Sequence, residues 1–201
     1  MTRGGQGLAR VAVVVRAGAA PLWWLGVFAA GIGVLVPGLT GRRIGVMAGA
    51  ALFLVAAAVV GLARRKRYGE LARGAVRAGK QDVLQDRRVT VRNWRRGHRW
   101  WLVPVFLAAL GSAFVVPAAG GMLLAGAGAG LRLKAGWIGR VERAADELLW
   151  IRVDWLSARG GGPAGKRVKT YRSTGVAAGD AAPGGGRRAV TGRARVPSGR
   201  P

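Results

Sequence analysis

Acid–base, metal or nucleophilic chemistry needs particular side chains at workable spacing, and this sequence offers few of them. The single histidine, His98, stands between Gly97 and Arg99, with no carboxylate nearby to orient it and no further ligands for a metal. Cysteine is absent, which excludes disulfides, thiolate metal sites and cysteine nucleophiles. The eight acidic residues form no spaced carboxylate pair beside a recognisable nucleophile. Residues 160–166, GGGPAGK, match the first seven positions of a phosphate-binding P-loop, but Arg167 stands where a Ser or Thr would ligate magnesium. No strand is expected before that match and no helix after it. The chain is therefore read as a non-enzyme, with no catalytic, cofactor-binding or metal-binding residue assigned.

What the sequence does carry is cationic chemistry. Lys and Arg number 33 against 8 Asp and Glu, a formal net charge of +25, so the partner surface is anionic: phospholipid headgroups, nucleic acid, or both. One cluster is the run Arg64, Arg65, Lys66, Arg67. The other is residues 90–101, TVRNWRRGHRWW, where Arg92, Arg95, Arg96 and Arg99 alternate with Trp94, Trp100 and Trp101. Guanidinium groups neutralise phosphates while an aromatic ring stacks on a base, which is one way to grip nucleic acid. The same residues suit a cytoplasmic segment lying beside anionic lipid, and topology rules favour that reading. Arg64, Arg65, Lys66, Arg67, Arg92, Trp94, Arg95, Arg96 and Arg99 are thus the candidate contacts to anionic lipid or nucleic acid.

The elements that must position these residues follow from how the chain is segregated. Apolar residues collect in two blocks, roughly 17–63 and 100–131, and charge collects elsewhere. Residues 21–39 and 44–63 contain no ionisable side chain, and the polar turn between them carries Arg42 and Arg43. Each stretch is about 20 residues, enough at about 1.5 Å per residue to cross a bilayer core of about 30 Å. A first transmembrane hairpin is expected over 17–63, behind a basic N-terminal segment, 1–16. Residues 64–99, with 13 basic and 3 acidic side chains, are expected as a cytoplasmic loop. The uncharged block 100–131 is too long for one straight span and is interrupted by Pro117, Gly120 and Gly121, so a second hairpin is expected over 100–136. Its glycine-rich second arm must let Arg132 and Lys134 reach the headgroups.

Beyond it, Trp137, Val141, Leu148, Ile151 and Trp155 recur at helical spacing. An amphipathic cytoplasmic helix is expected over 137–158, with those five residues as its partner-helix face. Its other face mixes both signs of charge, which suits a protein surface, a partner or a second copy, better than anionic lipid. Residues 159–201 are rich in Gly, Pro, Ala and Arg and are expected as a disordered basic tail.

The fold class read from these patterns is an all-α membrane protein of about four spans, multi-pass in the cytoplasmic membrane, with both termini cytoplasmic. The function expected is that of a non-enzymatic scaffold or assembly factor, acting through its basic segments and amphipathic helix. One alternative is a membrane component of DNA handling or conjugal plasmid transfer that binds nucleic acid non-specifically. A further alternative is a holin-like or pore-forming protein, for which the sequence lacks a polar stripe through any span. The absence of ionisable groups from the spans removes the usual machinery of proton-coupled transport.

Overall fold

The structure is a computed structural model that describes residues 7–36, 38–79, 82–157 and 162–175. It is mostly helical. In chain order the elements are β1 (Gly7–Arg10), α1 (Val11–Ala17), α2 (Ala19–Leu35), α3 (Arg42–Leu62), α4 (Arg65–Arg73), β2 (Val76–Arg77), β3 (Val83–Leu84), α5 (Arg87–Gly111), a 3-10 turn (Ser112–Phe114), α6 (Ala119–Ala145), β4 (Glu147–Arg152), α7 (Val153–Ser157) and β5 (Arg172–Gly175).

Two helical stretches, Val11–Leu35 and Arg42–Arg73, are long and apolar enough to cross a membrane. Their packing is inverted relative to a soluble helix, which turns its large apolar side chains inward. The buried residues of α2 are Ala19, Gly26, Ala29, Ala30 and Gly33, and those of α3 are Gly45, Gly49, Ala57 and Gly61. The large ones, including Phe28, Leu35, Met47, Leu54 and Val59, point outward, with Met47 74% exposed.

The central helix is α6. Its Gly121 and Gly128 press against the backbone of α2 at Ala30 and Trp23, while Gly126 and Gly130 press against α3 at Phe53 and Ala57. A Cβ at Gly121 or Gly126 would overlap those backbones, so only glycine permits the approach. Gly45 and Gly49, spaced as GxxxG, meet Pro117 and Met122 within the same chain. The turn between α5 and α6 runs from the 3-10 residues Ser112–Phe114 through Pro117, and Ala118 adopts a left-handed conformation, φ 63°. That turn meets the α2–α3 turn: Leu39 N–H donates to the Phe114 carbonyl at 3.2 Å and Thr40 N–H to the Val115 carbonyl at 3.4 Å.

At the opposite end lies a five-stranded sheet of order β2-β5-β4-β1-β3. The central pairs β1–β4 and β4–β5 are antiparallel, and the edge pairs β1–β3 and β2–β5 are parallel. Four consecutive residues of β4, Leu148 to Ile151, are buried, so both faces of the strand are covered. One face carries Ala9, Leu149 and Ile151 into a core built with α1, α4 and the end of α6; the other carries Leu8, Leu148 and Trp150 against Ala78 and Leu84.

The sheet corrects three expectations. The chain is not all-α. The segment 137–158 is not one amphipathic helix: α6 ends where Asp146 turns left-handed at φ 52°, a strand follows, and only the five residues of α7 return to helix. The tail expected to be disordered over 159–201 contributes structure where it is described, since Ala164, Val168 and Tyr171 are buried in the core and residues 172–175 form β5. Residues 158–161 and 176–201 lie outside the described residues. The loop expected over 64–99 is also built, from α4, the two edge strands and the first half of α5, and Val11, Val14 and Val15 of the N-terminal segment are core residues.

Candidate anion-binding surface

The basic residues singled out from the sequence divide into structural and available ones. Arg64 Nη1 donates to the Ala164 carbonyl at 3.4 Å and Arg67 Nη2 to the Gly165 carbonyl at 3.0 Å, so these two clamp residues 162–168 onto α4. Tyr171 donates its hydroxyl proton to the Pro163 carbonyl. The carbonyls of Gly162 to Gly165 in the P-loop-like stretch thus accept intrachain bonds. Arg65 donates from Nε to the Gly61 carbonyl at 2.9 Å and lies over the Trp137 ring at 5.5 Å. Lys66 is exposed.

The other cluster lies on the first half of α5. Asp86 caps this helix, its carboxylate accepting from the Arg88 N–H at 3.4 Å. Arg92, Arg95, Arg96 and Arg99 are exposed, with Arg99 over the Trp100 ring at 5.4 Å. Trp94 is not free to stack on a base: it packs against Gly18, where a Cβ would meet its ring at 2.8 Å, and it stacks on His98 at 4.4 Å. His98 in turn donates from Nδ1 to the Trp94 carbonyl at 3.0 Å.

The five residues expected as a partner-helix face do not share one. Leu148 belongs to the small core with Leu8 and Trp150, Ile151 belongs to the larger core, and Trp137 and Trp155 pack against that larger core from outside. Val141 faces Tyr68, Leu149 and Tyr171. All five serve the fold of their own chain.

One feature was not visible in the sequence. A cavity of about 230 Å³ opens among α1, α2, α5 and α6, and its wall carries four arginines, Arg16, Arg87, Arg95 and Arg132. Arg95 was expected among the anion contacts; Arg16, Arg87 and Arg132 were not. They come from three helices far apart in sequence, so no local spacing could have revealed the group. Arg132 also lies over the Trp23 ring at 5.3 Å. No His, Cys, Asp or Glu cluster suited to a metal occurs among the described residues.

Comparison with family models, with curated proteins and with solved structures yields no match, and the geometry alone carries the functional reading.

Proposed function

We propose that this chain is a non-enzymatic multi-pass protein of the cytoplasmic membrane, with about four spans and its sheet-bearing end in the cytoplasm. There it acts as a scaffold for an anionic partner. The observation that carries the reading is the inverted packing of α2 and α3: small residues inside, large apolar residues outside. Such surfaces are stable where the surrounding solvent is hydrocarbon, whereas soluble monomers rarely leave large apolar patches bare.

The second hairpin supports the higher span count. Its helices α5 and α6 are apolar over residues 100–111 and 119–131, and its turn meets the turn of the first hairpin. Only Arg42 and Arg43 carry charge near these turns, whereas the charged elements gather at the other end, as the positive-inside rule requires of a cytoplasmic side. The scaffold role is assigned to the exposed arginines of α5 and the cleft beside them, since residues 137–157 are committed to their own core. A nucleic-acid partner is the second reading, favoured by Arg88, Arg92, Arg96 and Arg99 lying exposed on successive turns of α5. The packing of Trp94 against Gly18 removes one stacking platform from it.

The test is fractionation with topology mapping. The chain should stay in the pellet after alkaline carbonate and dissolve only in detergent. Reporter fusions at Arg77 and after Gly175 should be cytoplasmic, and those at Thr40 and Val116 external. A chain released by carbonate would end the membrane reading. An external Arg77 would end the topology.

A further inference from the structure

We infer that the four-arginine cleft is a binding site for the phosphodiester headgroup of an anionic glycerophospholipid, held on the cytoplasmic leaflet. The inference rests on the membrane reading above and deepens it, by naming the ligand class and the residues that would hold it.

The first ground is charge without a counter-charge. Arg16, Arg87, Arg95 and Arg132 line one concavity, and no acidic residue among those described lines it. Among the described residues the ion pairs are Arg10–Glu142 and Arg152–Asp154, so none of the four meets a carboxylate there. None donates a side-chain hydrogen bond to another described residue. Four exposed arginines lining one concavity repel one another as like charges and offer fork-shaped donors to the same opening. An anion with several oxygens relieves the repulsion and accepts those donors in pairs, and a phosphate has that shape and charge.

The second ground is depth. The helices meet the cleft on the charged side of their apolar runs, α5 over the two turns from Arg87 to Arg95. The uncharged stretch of α2 begins at Ala19 and Ala20, which line the cleft; that of α5 begins just after Arg99, one turn past Arg95; and that of α6 ends at Leu131, immediately before Arg132. The cleft therefore opens from the headgroup–acyl boundary towards the headgroup side. Trp23, Trp24, Trp100 and Trp101 fall within a turn or two of it, as aromatic side chains do at a membrane interface. A lipid brings its phosphate to this depth by its own anchoring, which a DNA backbone lacks.

The third ground is size. About 230 Å³ is room for a headgroup phosphate and its flanking glycerol carbons.

The experiment uses the full chain purified in a neutral detergent. Dioleoyl phosphatidylglycerol, dioleoyl phosphatidylcholine, inorganic phosphate and a short random DNA duplex are each titrated against it. Thermal melting and native mass spectrometry are the readouts. Phosphatidylglycerol should raise the melting temperature and stay bound through ionisation, and phosphatidylcholine should do neither. The pair Arg16→Gln/Arg95→Gln should weaken phosphatidylglycerol binding by about ten-fold or more. The charge-matched pair Arg42→Gln/Arg43→Gln at the far end should change it by less than about two-fold. If the first pair does not fold, Arg87→Gln alone, at the exposed start of α5, gives the same reading. The inference is overturned if both pairs bind phosphatidylglycerol equally. It is also overturned if inorganic phosphate reproduces the effect, which would make the cleft a free-anion site. Displacement of the lipid by DNA would overturn it in favour of nucleic acid. Any of these can occur in a chain that stays carbonate-resistant, so failure here is distinct from failure of the membrane reading.

Discussion

Arg10 and Glu142, 132 positions apart, form an ion pair in which Arg10 Nη2 lies 2.7 Å from Glu142 Oε2. Arg10 ends β1 opposite Trp150 of β4, and Glu142 sits in the last turn of α6 with its carboxylate buried. The other carboxylate oxygen accepts the Leu149 N–H at 3.1 Å. One acidic side chain therefore ties the N-terminal strand, the central helix and the central strand together. A carboxylate so deeply buried is tolerated because each of its oxygens has a donor.

Removing one partner should cost far more than removing both. Arg10→Met leaves Glu142 charged and unpaired in the core and is expected to lower stability by about 3–5 kcal/mol. The double variant Arg10→Met/Glu142→Leu should recover most of that loss. Denaturant melts of the three proteins in one detergent read the difference, and equal losses in the single and double variants would show that the pair does not couple the elements.

The glycines of α6 should divide by side and not by composition. Gly121→Val drives a side chain into the Ala30 backbone and is expected to cost about 3 kcal/mol or more, or to prevent folding. A Cβ at Gly136 would meet nothing within 4 Å, so Gly136→Ala should stabilise the helix by about 1 kcal/mol. Thermal melts of the two variants should move in opposite directions.

Ile151→Asp tests the fate of the segment whose spacing resembles a docking helix. Ile151 is fully buried in β4, so the charge should break the sheet, with a loss above about 4 kcal/mol. Because β5 pairs with β4, the sites Lys166, Arg167, Lys169 and Arg172 should become rapidly cleavable by trypsin. An intact, trypsin-resistant variant that had merely lost a bound partner would restore the exposed partner face expected from spacing alone.

Alkaline pH should weaken the same region. Burial pushes the Tyr171 phenol well above its ordinary value of 10.0, with the nearby Tyr68 adding to the shift and the Arg67 guanidinium opposing it. A group whose pKa is raised by folding contributes its stability in full below the unfolded value and loses it as pH climbs past that value. Stability should therefore fall above about pH 10. Tyr171→Phe should cost about 1 kcal/mol at neutral pH, through the lost bond to Pro163, while flattening the fall between about pH 10 and 11. Parallel slopes in the two proteins would place the alkaline sensitivity elsewhere.

The sequence by itself determined where the apolar runs lie, where they break and how charge is segregated from them. Those features depend on neighbours in the chain, so Pro117 could be read as an interruption of the second apolar block and residues 21–39 and 44–63 as long apolar helices. Tertiary structure decided the rest. ELLWIR is short, apolar and spaced so that Leu148 and Ile151 also fit a helix; its strand conformation comes from ladders to residues 8–10 and 172–175, which no local pattern announces. Residues 172–175, RSTG, have no large apolar side chain and are held by ladders to β4 on one side and β2 on the other. The arginine cleft arises in the same way, because positions 16, 87, 95 and 132 lie on three helices that become neighbours only when the chain packs.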